Sequence, residues 1–209
     1  MAKIKLTYFD FHRGRGEPAR LALSIGGIPF EDERVAPADW PKRKPSTRFG
    51  GMPILEVDGA TITQSNGINR YVGKLANLYP SDPWQAALCD EVMDAVEDIG
   101  IKVGATFSIT DEAQKKAQRI ALADGPITFY LSRLERLLIE HGGQYFAEGR
   151  LTVADLKVFV WLRHLKSGLL DYIPADLPDR VAPRLVEHLT RLTNHPGIKA
   201  YYAARGVKG

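Results

Sequence analysis

Two neighbouring stretches carry groups placed for binding: Met52-Pro53-Ile54-Leu55-Glu56-Val57-Asp58-Gly59, and Gln64-Ser65 a few residues later. Pro53 opens an apolar run that reads as a strand. Proline has no N–H, so at a strand start it leaves neighbouring main-chain groups free to pair with something other than the sheet. An extended ligand can take those bonds as one more strand. Asp58-Gly59 is the residue pair of a tight two-residue hairpin. Ser65 stands where a helix should begin, and a serine N-cap there offers free N–H groups and the positive end of the helix dipole to a carboxylate. An extended peptide with an acidic end fits both features.

Bulk properties narrow the field. The chain has 209 residues, enough for one large domain or two small ones with a real core. Its formal charge of +3 comes from 28 basic and 25 acidic residues spread along the chain. Only Lys42-Arg43-Lys44 forms a local basic run, too little for a nucleic-acid footprint. The single cysteine, Cys89, offers neither a disulfide framework nor a zinc cluster, and it fits a reducing compartment. No apolar run approaches the length of a membrane span and no signal-peptide pattern opens the chain, so the expected location is the cytoplasm.

The elements that must position these groups follow from periodicity. Residues 3–8 alternate with period two and read as a strand ending at Tyr8. A loop through Phe9, Phe11, Arg13 and Arg15 leads into a helix from Glu17-Pro18 to Ile25, stopped by Gly26-Gly27. A second strand from Pro29 to Val35 completes a β-α-β unit. A short helix starts near Trp40, then come the hairpin and a helix over Ser65 to Ala76, giving β-α-β-α-β-β-α. After Tyr79-Pro80-Ser81-Asp82-Pro83 no strand is expected. Helices are predicted from Asp82 to about Phe107, weakened at Gly100 and Gly104, and from Glu112 to Glu140 with a kink at Pro126. A further helix is opened by the Thr152–Asp155 capping box, and two more run over Pro183–Leu192 and Pro196–Tyr202. The expected division is a first domain over 1–79, a linker at 80–84 and an all-helical domain over 85–209.

The order and spacing of Lys5-Leu6-Thr7-Tyr8-Phe9, Arg13-Gly14-Arg15, Ala38-Asp39-Trp40-Pro41, Phe49-Gly50, the Met52–Gly59 run and Gln64-Ser65 resemble the cytosolic glutathione transferases, in particular the sigma class with its haematopoietic prostaglandin D synthases. The resemblance spans nearly the whole chain. It is dense over residues 3–75 and rests in the helical part on Glu97-Asp98 and Thr152 to Asp155.

It implies a thioredoxin-like first domain, with Pro53 as its cis-proline, and glutathione as co-substrate. Met52 would pair main chain to main chain with the cysteinyl unit, beside Gly51, which stands where the family often has glutamine or lysine. Gln64 and Ser65 would hold the γ-glutamyl carboxylate. Trp40 and Lys44 would meet the glycine end, and Asp98 of the other subunit of a homodimer would reach the γ-glutamyl amine. Glu97-Asp98 also resembles an acidic pair that holds a divalent metal in some relatives, but with glutamate at 97 no metal is expected.

By the same resemblance the chemistry belongs to Tyr8. A thiol of pKa about 8.5 is mostly protonated at neutral pH. A neutral tyrosine hydroxyl donating to the sulfur favours the thiolate, and a hydrogen bond to a charged group is worth roughly 1.5–3 kcal/mol. Arg15, or alternatively Arg13, would steady the site. The implied reaction is addition of the thiolate to small apolar electrophiles, in a pocket walled by Phe9, Phe11, the Ile101–Phe107 segment and Tyr202. Two rival readings stay open: a glutathione-dependent isomerase, and a non-catalytic ligand-binding or crystallin-like protein.

Overall fold

A computed structural model describes residues 2–207, so the expected outer domain limits, at residues 1 and 209, lie outside the described residues. The chain runs β1 (Ile4–Phe9), α1 (Glu17–Ile25), β2 (Glu31–Val35), α2 (Trp40–Arg43), β3 (Ile54–Val57), β4 (Ala60–Thr63) and α3 (Ser65–Leu75). The four strands form one sheet in the order β2-β1-β3-β4. β1 is parallel to β2, the pairing that needs α1 as its crossover, and antiparallel to β3. Asp58 and Gly59 both have positive φ, at 49° and 86°, as a two-residue hairpin of the primed type requires. Val57 accordingly pairs with Ala60 across the turn. Leu6 and Leu55 of the sheet are buried in one core with Leu21 and Leu23 of α1 and Ile68 and Val72 of α3. This is the thioredoxin-like arrangement.

Among the described residues, the regular elements that follow are helices: α4 (Pro83–Ala105), α5 (Glu112–Leu122), α6 (Thr128–Glu140), α7 (Val153–Lys166), α8 (Leu177–Val181), α9 (Pro183–Thr193) and α10 (Pro196–Ala203). Asp82 caps α4 by accepting from the Gln85 N–H at 2.9 Å. The expected weakening at Gly100 and Gly104 does not end that helix. Ile99 and Val103 bury their side chains beside these glycines, and burial of this size outweighs about 1 kcal/mol per glycine. Between α5 and α6 the chain makes a π-helical turn, Ala123–Ile127, containing Pro126. The missing N–H and the ring of Pro126 interrupt the helical ladder where the kink is expected. Helix α8 is an addition to the expected set: five residues with a proline near their start are too few to show a period.

Helix α7 sits centrally, packed against α1 and α4, with Val158, Phe159, Val160 and Leu162 in one core continuous with that of the sheet domain. Its start is the expected capping box of Thr152 and Asp155. Among the described residues, no helix is long and apolar enough to cross a membrane.

Candidate active site

The period-two alternation of β1 turns Ile4, Leu6 and Tyr8 to the buried side, and Tyr8, at the C-terminal part of the strand, is 6% exposed. The loop after it folds back over the ring. The Arg15 N–H donates to the Tyr8 oxygen at 2.9 Å. That bond uses a lone pair of the hydroxyl and leaves its proton free to be donated outward. Burial pushes the Tyr8 hydroxyl above its ordinary value, against the pull of the Arg15 N–H and the charges of Arg15 and Arg20, so it stays neutral at physiological pH.

The loop is held by a buried side chain. Arg20, fully buried on α1, donates to the carbonyls of Phe11 at 3.0 Å and Phe9 at 3.2 Å and to Asp32 at 2.7 Å. Gly14 and Gly16 let the loop come this close. A Cβ at Gly14 would lie 2.5 Å from the Tyr8 oxygen, and one at Gly16 2.4 Å from its Cγ. A Gly16→Ala substitution is therefore expected to destabilise the fold by about 1–3 kcal/mol, as overpacking against a buried ring does. Urea unfolding with a lowered midpoint and unchanged slope would show it, and an unchanged midpoint would refute it.

Phe9 and Phe11 stack at 5.4 Å, each edge-on to Tyr8, and Trp40 of α2 meets Phe9 edge-on at 5.8 Å. Arg13 lies over the Phe11 ring at 4.6 Å. Thus Arg15 meets Tyr8 through its backbone, while Arg13 is turned to the aromatic wall. Tyr202, expected in that wall, is instead buried between α10 and α7, under the Arg163 guanidinium at 4.2 Å. It lines a separate cavity of about 300 Å³ together with Phe159 and Ile198. Ile101 and Phe107 are exposed at the end of α4.

The Met52-Pro53 peptide is cis. Strand pairing of β3 begins only at Ile54, so the main chain of Met52 and Gly51 lies beyond the ladder. Lys44 is exposed and runs past Gly50. At the hairpin's far end one expectation shifts by a residue. Gln64 occupies the N-cap position with φ 73°, and Ser65 is the first helical residue rather than the cap. Gln64 makes no capping bond with its side chain, which stays exposed. A non-glycine residue held at positive φ is locally strained, and such strain gathers at binding sites.

Glu97 of α4 is the junction that residue patterns did not reveal. Its Oε1 accepts from Arg15 Nε at 2.5 Å, and its Oε2 accepts from Ser65 Oγ at 3.0 Å and from Lys157 Nζ at 2.8 Å. One carboxylate thereby joins the Tyr8 loop, the start of α3, α4 and α7. Burial alone would raise its carboxyl, but Lys157 and Arg15 outweigh that and bring it down to about 2. Asp98, beside it, is exposed and accepts from the Tyr130 hydroxyl at 3.2 Å in the same chain. Among the described residues, no group of three or more His, Cys, Asp or Glu side chains could hold a metal ion. Cys89 is buried, and burial pushes its thiol to about 12.

Because Glu97 titrates below its ordinary 4.5, its contribution to stability is fully present above pH 4.5 and is lost as pH falls toward about 2. A Glu97→Gln variant should therefore show a shallower loss of unfolding free energy across that window than the wild type. Identical slopes would mean that the carboxylate is not held by these cations.

The model of the glutathione S-transferase N-terminal domain matches residues 4–74. That of the glutathione S-transferase C-terminal domain matches residues 97–205. A glutathione S-transferase of Anopheles gambiae is 32% identical over 99% of this chain and 98% of its own. A hematopoietic prostaglandin D synthase of Gallus gallus is 36% identical over 98% of each. Among solved structures, a prostaglandin synthase D of Nilaparvata lugens superposes with a TM-score of 0.87 at 33% identity, covering 99% of this chain and 100% of that one. A sigma-class transferase of Fasciola hepatica gives 0.82 at 27% identity, over 100% and 98%.

Proposed function

The chain belongs to the glutathione S-transferase family, and from that premise we propose how its own residues bind glutathione and activate the thiol. It is a transferase with glutathione as co-substrate. The tripeptide lies extended along Met52, whose main chain, free of the strand ladder, takes the cysteinyl unit as an added strand. Gly51 is beside it, without a side chain to add. The γ-glutamyl carboxylate docks on the Gln64-Ser65 turn at the positive end of α3. Trp40 and Lys44 receive the glycine end.

Tyr8 carries the chemistry. Its oxygen already accepts from Arg15, so its proton is the one offered to the sulfur, and burial keeps it a donor rather than a base. A bond of roughly 1.5–3 kcal/mol to the thiolate corresponds to about one to two pKa units. That is enough to populate the thiolate at neutral pH. Arg15, tied to Glu97, holds the oxygen in place, and the ordered N–H to hydroxyl bond is the single observation that carries the assignment. The thiolate then attacks a small apolar electrophile lodged against Phe9 and Phe11.

Purified protein should conjugate glutathione to a chlorinated dinitrobenzene, read as the rise in absorbance of the thioether. Retention on immobilised glutathione with no turnover of any electrophile would favour the binding-protein reading. The prostaglandin synthase relatives support one second reading, isomerisation of a prostaglandin-like endoperoxide, which product analysis separates from conjugation.

A homodimer is part of the proposal. Asp98 would reach the partner's γ-glutamyl amine, and Phe49 and Phe129, 69% and 54% exposed, are apolar surface for a second copy to cover. Sedimentation equilibrium at twice the chain mass is the expected result. A single buried Cys89 is in keeping with a cytoplasmic location.

A further inference from the structure

Helix α7 is buried along most of its length by apolar side chains, and Lys157, 5% exposed, is the cation among them. A buried ammonium is tolerated only when paired and hydrogen-bonded. Lys157 Nζ donates to Glu97 Oε2 at 2.8 Å and to Asn66 Oδ1. Burial lowers its amine, while the charge of Glu97 pulls the other way. Glu97 Oε2 thus has two donors, Lys157 and the hydroxyl of Ser65.

The Ser65 hydroxyl has one proton to give. Within the protein that proton goes to Glu97, 3.0 Å away. A carboxylate arriving at Ser65 must take the proton over and settle beside an ionised glutamate, and two carboxylates so close repel. Arg15 compensates from the other oxygen, but its side chain is 41% exposed, so solvent screens it. Lys157 is the buried charge on the oxygen that Ser65 shares.

Resting on the glutathione reading above, we infer that Lys157 is a positioning residue for the γ-glutamyl carboxylate: its ammonium neutralises Glu97 and satisfies it, releasing the Ser65 hydroxyl to the substrate. Lys157 does not touch glutathione in this role. It decides whether an anion can dock next to an anion.

Calorimetric titration of the full-length protein with glutathione, and with the analogue in which 4-aminobutyrate replaces the γ-glutamyl unit and so lacks its α-carboxylate, tests this directly. Lys157→Met should weaken glutathione binding at least tenfold and analogue binding less than twofold. Lys157→Arg should stay within threefold of the wild type for both. If methionine prevents folding, Lys157→Gln, which keeps a donor but not the charge, carries the same comparison. Equal losses for the two ligands, or none for glutathione, would overturn the inference while leaving the glutathione reading intact. Failure of the wild type to bind glutathione at all would overturn both.

Discussion

Tyr8→Phe is expected to fold normally and to lose about one to two orders of magnitude in the rate of glutathione conjugation, the kinetic equivalent of a charge-assisted hydrogen bond of roughly 1.5–3 kcal/mol. The ring keeps its place. Its edge-on contacts with Phe9 at 5.5 Å and Phe11 at 5.6 Å do not involve the hydroxyl, and Gly14 and Gly16 still close over it. What disappears is the donor to sulfur, together with the acceptor of the Arg15 N–H. Ultraviolet titration of bound glutathione should show the thiol pKa rising by about one to two units, while the dissociation constant of the tripeptide changes little. A thiol that titrates unchanged in the variant would remove Tyr8 from the chemistry.

The second large effect concerns stability. Asp155→Ala is expected to cost about 3–5 kcal/mol, a substantial part of the 5–15 kcal/mol that holds a typical domain. Asp155 is fully buried, and its carboxylate accepts four bonds. The Thr152 N–H donates at 2.8 Å, the Thr152 hydroxyl at 2.7 Å and the Phe146 N–H at 3.1 Å, and His188 Nε2 lies 3.0 Å away. Truncation leaves those partners buried without an acceptor, the expensive way to lose a hydrogen bond. Denaturant unfolding should show the fall. Asp155→Asn should recover part of it, since the amide keeps one acceptor oxygen. A loss below about 1 kcal/mol for alanine would mean that the bonds are replaced by water.

What could be read along the chain was whatever local rules determine. Asp58-Gly59 specifies its turn by backbone conformation alone, Thr152 and Asp155 lie three residues apart, and the alternation around Tyr8 turns its ring inward without reference to anything distant. The α/β opening and the helical remainder follow from such patterns, and the order of the short motifs pointed to the family. The cap at α3 falls one residue before the serine that its chemistry favours, because Gln64 adopts a positive φ that nothing in its side chain predicts. The Glu97 junction was out of reach for a different reason. Its partners Arg15, Ser65 and Lys157 come from a loop and two different helices, so no window of neighbouring residues contains the contact. One trace was available: a single lysine inside the apolar run from Leu156 to Leu162 requires a buried anion somewhere. The glycines on either side of Arg15 were another, marking a backbone that must approach something closely.

The Glu97 junction also bears on how such chains could be recombined. Arg15 and Ser65 belong to the sheet domain, Glu97 and Lys157 to the helical one, so half of a single electrostatic cluster lies on each side of the α3–α4 connection. A chimera that joins this sheet domain to a relative's helices inherits donors without their acceptor unless positions 97 and 157 travel together. Compatibility between the halves is then set by two residues of the helical half whose partners lie in the other, and grafting that pair is the smallest change that should restore a mismatched hybrid.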